Sequence, residues 1–179
     1  MTDPTRIRFV DCSFERHGAS ILAILNEIIL NTTAVYDYQP RALASIEAGF
    51  RIKAERNDPC IGVEDGDGRL LGYASYGAFR GWPAYKYTVE LSIHLAPEAR
   101  GQGLGPSLLA RLIDTARDRG VHVMMAAIDA SNATSIAMHE KLGFRLAGTV
   151  RECGFKFGRW LDLALYQLIL PSPENPVDG

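Results

Sequence analysis

The sequence predicts one α/β (or α+β) domain, a mixed sheet with helices on its faces. Two observations predict it. Short runs with strand character alternate with longer segments whose apolar residues recur every three or four positions. Read in order, the two kinds give β-α-α-β-β-β-α-β-α-β-β, with no internal repeat, linker or low-complexity segment. At 179 residues the chain is long enough for a sizeable core. The expected domain covers residues 1–170, and 171–179, rich in proline, form a flexible C-terminal tail.

Arg6 to Val10 alternates polar and apolar residues and reads as the first strand. Ser20 to Leu30 carries apolar residues at 21, 22, 24, 25, 28 and 29, a helix with one broad buried face. Asn31 to Tyr36 leaves that helix, because β-branched and polar residues favour an extended path. Pro40 to about Arg56 is a second helix on Leu43, Ile46 and Phe50, ended by Asn57-Asp58-Pro59. Cys60 to Glu64 and Leu70 to Tyr76 form a hairpin around Asp65-Gly66-Asp67-Gly68, where Asp-Gly adopts positive φ cheaply. Phe79 to Tyr87 is an aromatic loop, and Thr88 to Leu95 the next strand. A third helix has its apolar stripe at 108, 109, 112, 113 and 116, with Pro106 in its first turn and Gly120 as its stop. Val121 to Ile128 is a buried strand; Ser131 or Asn132 then caps a helix running to about Leu142, which Gly143 ends. Phe144 to Cys153 and Leu161 to Leu170 close the chain as an antiparallel pair.

Bulk properties remove several classes of function. The formal net charge is −2 and no run of Lys/Arg appears, so neither nucleic acid nor an anionic membrane is expected as a partner. Cys12, Cys60 and Cys153 show no metal spacing and no paired framework, so no metal is expected and the thiols read as reduced in a cytoplasm. Met1 to Arg6 is not followed by the apolar stretch of a signal peptide. The longest apolar segment, Ile21 to Leu30, is broken by Asn26 and Glu27 and is too short to span a bilayer.

The segment Glu98 to Leu109 stands out. Arg100-Gly101-Gln102-Gly103-Leu104-Gly105 follows a strand and opens a helix. Alternate glycines let the backbone curl with its N–H groups inward, and such a nest at a helix N-terminus binds anions. The spacing fits neither the dinucleotide fingerprint nor the Walker loop. The plain alternative is a glycine-rich turn that only caps the helix. Arg100 to Gly105 resembles the pyrophosphate loop of the GNAT N-acetyltransferase superfamily, whose acyl donor is acetyl-coenzyme A. The resemblance implies a mixed, mostly antiparallel sheet splayed at its centre. It also implies a pantetheine arm lying along the backbone of Ile93, His94 and Leu95.

Acetylating an amine needs a base, because a free amino acid arrives mostly as ammonium. Glu90 is the first choice. Alternation puts Glu90, Ser92 and His94 on one side of an otherwise apolar strand; the alternative is a solvated glutamate on a half-exposed strand. Asn132, Ser135 and His139 share one helix face. They read either as a cofactor wall, with His139 in proton transfer, or as a simple cap with His139 at the surface.

The segment Ser135 to Phe144, with Asn31 to Ala34, Gly72 to Ala74, Thr88 to Glu90 and Lys156 to Asp162, resembles the phosphinothricin acetyltransferase family, from about residue 6 to 170. That resemblance implies catalytic roles for Glu90 and His139. It implies acetyl-CoA contacts at Gly101, Gln102, Gly103, Leu104, Gly105, Pro106 and Asn132, and an amino-acid pocket of Arg80, Gly81 and Trp82 with Glu90, Leu91 and Ser92. A guanidinium at Arg80 suits a substrate carboxylate; on its own it reads equally as a surface loop arginine. The family acetylates the α-amino group of compact amino acids such as phosphinothricin, methionine sulfone and methionine sulfoximine, and it implies a homodimer. His94 departs from the family, where Tyr is usual, and Leu25 likewise replaces a common Tyr. Two other readings remain: an acetyltransferase for another amine (an antibiotic, a polyamine or a protein N-terminus), and a non-catalytic acyl-CoA sensor.

Overall fold

The computed structural model describes residues 7–178. Its elements are β1 (Arg8–Asp11), α1 (Phe14–Asn31), α2 (Leu43–Arg56), β2 (Cys60–Glu64), β3 (Leu70–Ala78), β4 (Thr88–Leu95), α3 (Leu104–Asp118), β5 (Val123–Asp129), α4 (Ala133–Lys141), β6 (Arg145–Lys156) and β7 (Arg159–Ile169). The succession is the one read from the sequence, with short 3₁₀ turns added at Pro83–Tyr85 and Pro97–Ala99. The strands lie in the order β1-β2-β3-β4-β5-β7-β6. β4 runs parallel to β5, whereas β1–β2, β2–β3, β5–β7 and β6–β7 are antiparallel. The sheet is therefore mixed and mostly antiparallel. The chain groups into two compact units, Met1–Ser75 with Ile93–Leu112 and Tyr76–Ser92 with Ile113–Gly179.

In the first unit, α1 buries Ile21, Ile24, Ile28 and Ile29, and the start of α3 buries Leu104, Leu108, Leu109 and Leu112. Two helix starts differ from the sequence reading. α1 begins at Phe14 rather than Ser20, because Ser13 caps it and the Phe14 ring lies against Gly18, one turn on. The polar run Glu15-Arg16-His17 conceals this turn, although His17 and Gly18 are buried in it. α2 begins at Leu43 rather than Pro40, because the Asn26 side chain on α1 holds Arg41 out of the helix. It accepts from the Arg41 N–H at 2.7 Å and donates to its carbonyl at 3.0 Å. Of the first strand as read, Arg6 lies outside the described residues, and the ladder with β2 runs from Arg8↔Glu64 to Asp11↔Ile61. In the β2–β3 turn it is Gly68, at φ 82°, that takes the left-handed conformation, while Asp65 Oδ1 accepts from the N–H groups of Asp67 and Arg69.

A buried carboxylate lies at the β1–β2 end of this unit. Glu64 is 0% exposed. Its oxygens accept from Arg8 Nε at 2.8 Å, Arg16 Nη2 at 2.9 Å and His17 Nε2 at 2.9 Å. His17 Nδ1 accepts from the Ser13 N–H at 3.0 Å, so its single proton in the neutral form sits on Nε2 and points at Glu64. Burial alone would raise the Glu64 carboxyl, but hydrogen bonds from His17 and Arg8 and the charges of Arg16 and Arg8 outweigh it and hold the group below its ordinary range.

In the second unit, β4 pairs with β5 over Thr88–Glu90 and then continues beyond that ladder to Leu95. β5 starts at Val123 rather than Val121, because the Val121 N–H still closes α3 on the Ala116 carbonyl and His122 donates to Tyr87. Met124, Ala126, Phe144, Leu161, Ala164 and Tyr166 are buried here. The tail, expected to be flexible, makes contacts: Ser172 is buried and its hydroxyl donates to the Val121 carbonyl, and Val177 N–H donates to the Tyr87 hydroxyl at 3.1 Å. No helix among the described residues is long and apolar enough to cross a membrane.

Candidate active site

The first unit carries the glycine segment. Leu95 ends β4, the turn Pro97–Ala99 follows, and Arg100 to Gly103 lead into α3 at Leu104. Gly101 and Gly103 both sit at φ 76°, the left-handed region that glycine enters without strain. Gly105 is different, being already inside α3. A Cβ built on Gly101 or Gly103 meets nothing within 4 Å, so open space lies above both. The helix N-terminus with its unpaired donors follows at once.

The Arg100 guanidinium, which opens the loop, is engaged within the protein. It pairs with Glu27 of α1 and donates to the Leu95 carbonyl at 3.3 Å. The Gln102 amide donates to the Glu98 carbonyl at 2.7 Å, and the Ser107 hydroxyl to the Gly103 carbonyl at 3.2 Å. Side chains thus brace the loop from behind. Glu27 was visible in the sequence only as a polar break in an apolar run.

The end of β4 in this unit carries Ile93, His94 and Leu95. The His94 ring packs against Tyr73 of β3, with centroids 5.4 Å apart. Burial pushes the imidazole down to about 4, so His94 is neutral at physiological pH. Tyr73 is 6% exposed, and burial raises its hydroxyl further above neutrality. Because the folded His94 titrates below the unfolded value, its contribution to stability is complete above about pH 6.5 and is lost as the pH falls toward 4. Replacing His94 by Phe is expected to flatten the drop in melting temperature between those pH values, measured by circular dichroism; an unchanged slope would count against it.

Gly72, beside Tyr73, sets how closely β3 approaches this end of β4. A Cβ there would come within 2.8 Å of the His94 carbonyl oxygen and closer still to the Leu95 side chain. The first obstacle is backbone and cannot rotate away. Gly72→Ala is expected to displace the end of β4, cost about 1–3 kcal/mol and raise the KM for acetyl-CoA. Wild-type values for melting and KM would show that β4 yields freely.

The second unit carries the other expected residues. Glu90 occupies the last rung of the β4–β5 ladder, opposite Met125. Val89 and Leu91 are buried, while Glu90 is partly exposed and Ser92 exposed, as the alternation required. Arg80 lies exposed with its guanidinium 4.2 Å from the Phe79 ring centroid, donating to the Phe79 carbonyl at 2.9 Å. Gly81 is open, and Trp82 is 75% exposed, so this loop offers a large unpacked indole.

Asn132 is the N-cap of α4, its Oδ1 accepting from the Ser135 N–H at 3.1 Å, which leaves its amide N–H₂ for other partners. His139 is not at the surface: it is 1% exposed, edge-on to Phe144. Its Nδ1 lies 2.8 Å from the Ser135 carbonyl, an obligate acceptor, so Nδ1 carries the proton. Nε2 therefore presents a lone pair, and it has no hydrogen-bond partner among the described residues. Burial lowers the imidazole below its ordinary range, against the opposing pull of the Ser135 carbonyl.

The acetyltransferase (GNAT) family model matches residues 23–144. The chain belongs to the GNAT acetyltransferase family. Among GNAT relatives, the L-methionine sulfoximine/L-methionine sulfone acetyltransferase of Pseudomonas aeruginosa is 46% identical over 157 residues, 87% of this chain and 91% of the relative. The GNAT superfamily phosphinothricin acetyltransferase of Sinorhizobium meliloti, solved in complex with acetyl-CoA, superimposes with a TM-score of 0.90 at 36% identity, covering 95% of this chain and 92% of that one. The ribosomal-protein-alanine N-acetyltransferase of Brucella melitensis gives 0.87 at 39% identity, covering 91% and 99%.

Proposed function

We propose that this GNAT enzyme transfers the acetyl group of acetyl-CoA directly to the α-amino group of a small amino acid or a toxic analogue, such as methionine sulfone, methionine sulfoximine or phosphinothricin. The likeness to the Pseudomonas aeruginosa enzyme supports the substrate class. The observation that carries the donor is the pair of left-handed glycines with open space above them at the start of α3. It is a cradle that a side chain would fill, and it suits a pyrophosphate held by backbone donors. Gly101 to Pro106 would hold that group, with the Asn132 amide and Ser135 on α4 serving the pantetheine arm. When bound, acetyl-CoA supplies an acetyl group activated as a thioester.

The chain's own residues do the rest. Glu90 accepts the proton of the substrate ammonium, directly or through water. Backbone N–H groups of Ile93 to Leu95 stabilise developing negative charge on the carbonyl oxygen. Leu91 and Ser92 flank the base, and Arg80, Gly81 and Trp82 form the lip that receives the amino-acid carboxylate and side chain. His139 acts as a proton acceptor at Nε2. Its Nδ1–H is committed to the Ser135 carbonyl, so His139 delivers a proton to the departing thiolate only after taking one up at Nε2. The acid form of Glu90 or a water is the other donor of that proton.

The test is thiol release from acetyl-CoA with a panel of amines: methionine sulfone, methionine sulfoximine, phosphinothricin, the common amino acids, an alanine-initiated peptide, spermidine and an aminoglycoside. Turnover confined to the small amino acids supports the reading. The Brucella melitensis likeness favours a second reading, in which the acceptor is a protein N-terminus; turnover on the peptide alone would establish that instead. Acetyl-CoA binding without turnover on any amine would leave a sensor.

We also place the enzyme in the cytoplasm as a single-domain homodimer. Leu146 and Val150 on β6, with Phe155, Phe157 and Trp160 around the β6–β7 turn, are exposed apolar side chains on a strand at the end of the sheet order, a surface a second copy can cover. Light scattering at micromolar concentration is expected to give twice the chain mass; a monomer would remove the dimer.

A further inference from the structure

We propose that Cys12 and Cys60 form a reversible intramolecular disulfide, with Cys60 as the thiol that a hydroperoxide oxidises and Cys12 as the thiol that resolves it. Neither belongs to the acetyl-transfer machinery. The β1–β2 ladder runs to Asp11↔Ile61, and the next step sets Cys12 opposite Cys60. The Cys12 N–H donates to the Cys60 carbonyl at 2.8 Å. Directly opposed, hydrogen-bonded residues of an antiparallel pair hold their Cα atoms about 5.5 Å apart, inside the range a disulfide bridges. Opposed side chains share a face of the sheet. Gly62, two residues on from Cys60, belongs to the same face: a Cβ there would come within 2.7 Å of the Cys12 sulfur. The missing side chain is thus the space in which that sulfur turns. Both thiols are partly exposed, so a small oxidant reaches them.

The surroundings divide the roles. Lys53 of α2 faces Cys60; the carboxylates of Asp11 and Glu64 and the Tyr73 hydroxyl are the other titratable groups facing the pair. The Cys12 thiol and the Lys53 ammonium together hold Cys60 below the ordinary thiol range, against its burial. Cys60, burial, Glu64 and Asp11 push Cys12 up. The thiolate is the nucleophile, so Cys60 reacts first.

The Cys60 thiolate attacks one oxygen of the hydroperoxide, the O–O bond breaks, and the alkoxide leaves as the alcohol after taking a proton from solvent. Cys60 is then a sulfenic acid. Cys12 attacks that sulfur, the S–O bond breaks, and hydroxide leaves with the Cys12 proton as water. Two thiols and one hydroperoxide give one disulfide, one alcohol (water, where the oxidant is hydrogen peroxide) and one water. The bond joins the residue before the α1 cap to the first residue of β2, closing the α1–α2 segment at its base.

The test treats the full-length protein with hydrogen peroxide and counts thiols, with Cys153 on β6 as the internal reference. Free thiols are expected to fall from three to one, with a peptide pair linking Cys12 to Cys60, and dithiothreitol should restore all three. Cys12→Ser should stop at a Cys60 sulfenic acid that dimedone traps, and Cys60→Ser should slow oxidation at position 12 by about tenfold or more. Three free thiols after peroxide, with the circular dichroism of the folded protein, would overturn the proposal. So would thiol loss explained by dimers linked through Cys153, or dimedone labelling of Cys12 in preference to Cys60.

Discussion

Replacing Glu90 by Gln is expected to lower kcat at neutral pH by about 10²-fold or more while leaving the KM for acetyl-CoA nearly unchanged. Gln keeps the length, shape and hydrogen-bonding of the side chain but cannot accept a proton. Glu90 sits on the last rung of the β4–β5 ladder, partly open to water, between the buried Val89 and Leu91. Its backbone is fixed by pairing and its side chain stays reachable. The missing function is removal of a proton from an amine that is mostly ammonium, so the deficit should narrow as pH rises and solution deprotonates the amine instead. Steady-state kinetics from pH 7 to 9.5 measure this. A wild-type kcat at pH 7 rejects Glu90 as the base, and a deficit that does not change with pH points to positioning rather than proton transfer.

Removing the Glu64 carboxylate should have the largest effect on stability. Glu64→Ala leaves His17 Nε2–H buried without its acceptor and places the charges of Arg8 and Arg16 side by side. Breaking a buried pair costs about 3–5 kcal/mol; both arginines are half exposed, so about 2–3 kcal/mol is expected after screening. The sign of the pH dependence follows from the direction of the shift. The folded carboxyl titrates below the unfolded one, so its contribution is complete above the unfolded value and fades as the pH falls through the folded one. Urea midpoints for the two proteins should differ most near neutrality and converge in acid. Equal midpoints at pH 7 would mean that solvent already satisfies the cluster. Acetyl transfer by the folded variant should stay within about twofold of wild type, since Glu64 contacts none of the residues assigned to it.

Periodicity made the frame legible. The α3 stripe of Leu108, Leu109, Leu112, Ile113 and Ala116 is buried throughout, and the alternation along β4 separates Glu90 and Ser92 from Val89 and Leu91 as read. Local chemistry made the caps legible: Asn132 opens α4, and Gly143, at φ 94°, lies just past its end. What stayed hidden depends on partners remote in the chain. The Asn26 side chain delays α2 by occupying Arg41, fifteen residues away. Glu27 turns Arg100 from a free cation into a brace, and Glu64 draws cations from β1 and α1. No window of sequence contains such pairs. The burial of His139 was hidden for another reason: on a short helix of mixed polarity, one imidazole does not announce which side of the helix is dry.

That imidazole has a use beyond chemistry. Its Nδ1–H is held by the Ser135 carbonyl and shielded from water at 1% exposure, so exchange with solvent should be slow enough for the proton to be seen directly by NMR. Few side-chain N–H protons in a protein meet that condition, and this one belongs to a ring whose other nitrogen has no partner among the described residues. Anything that donates to Nε2 changes the electron density at Nδ1 across the ring. The resonance of His139 is a built-in reporter of occupancy, readable without a label, a chromophore or turnover.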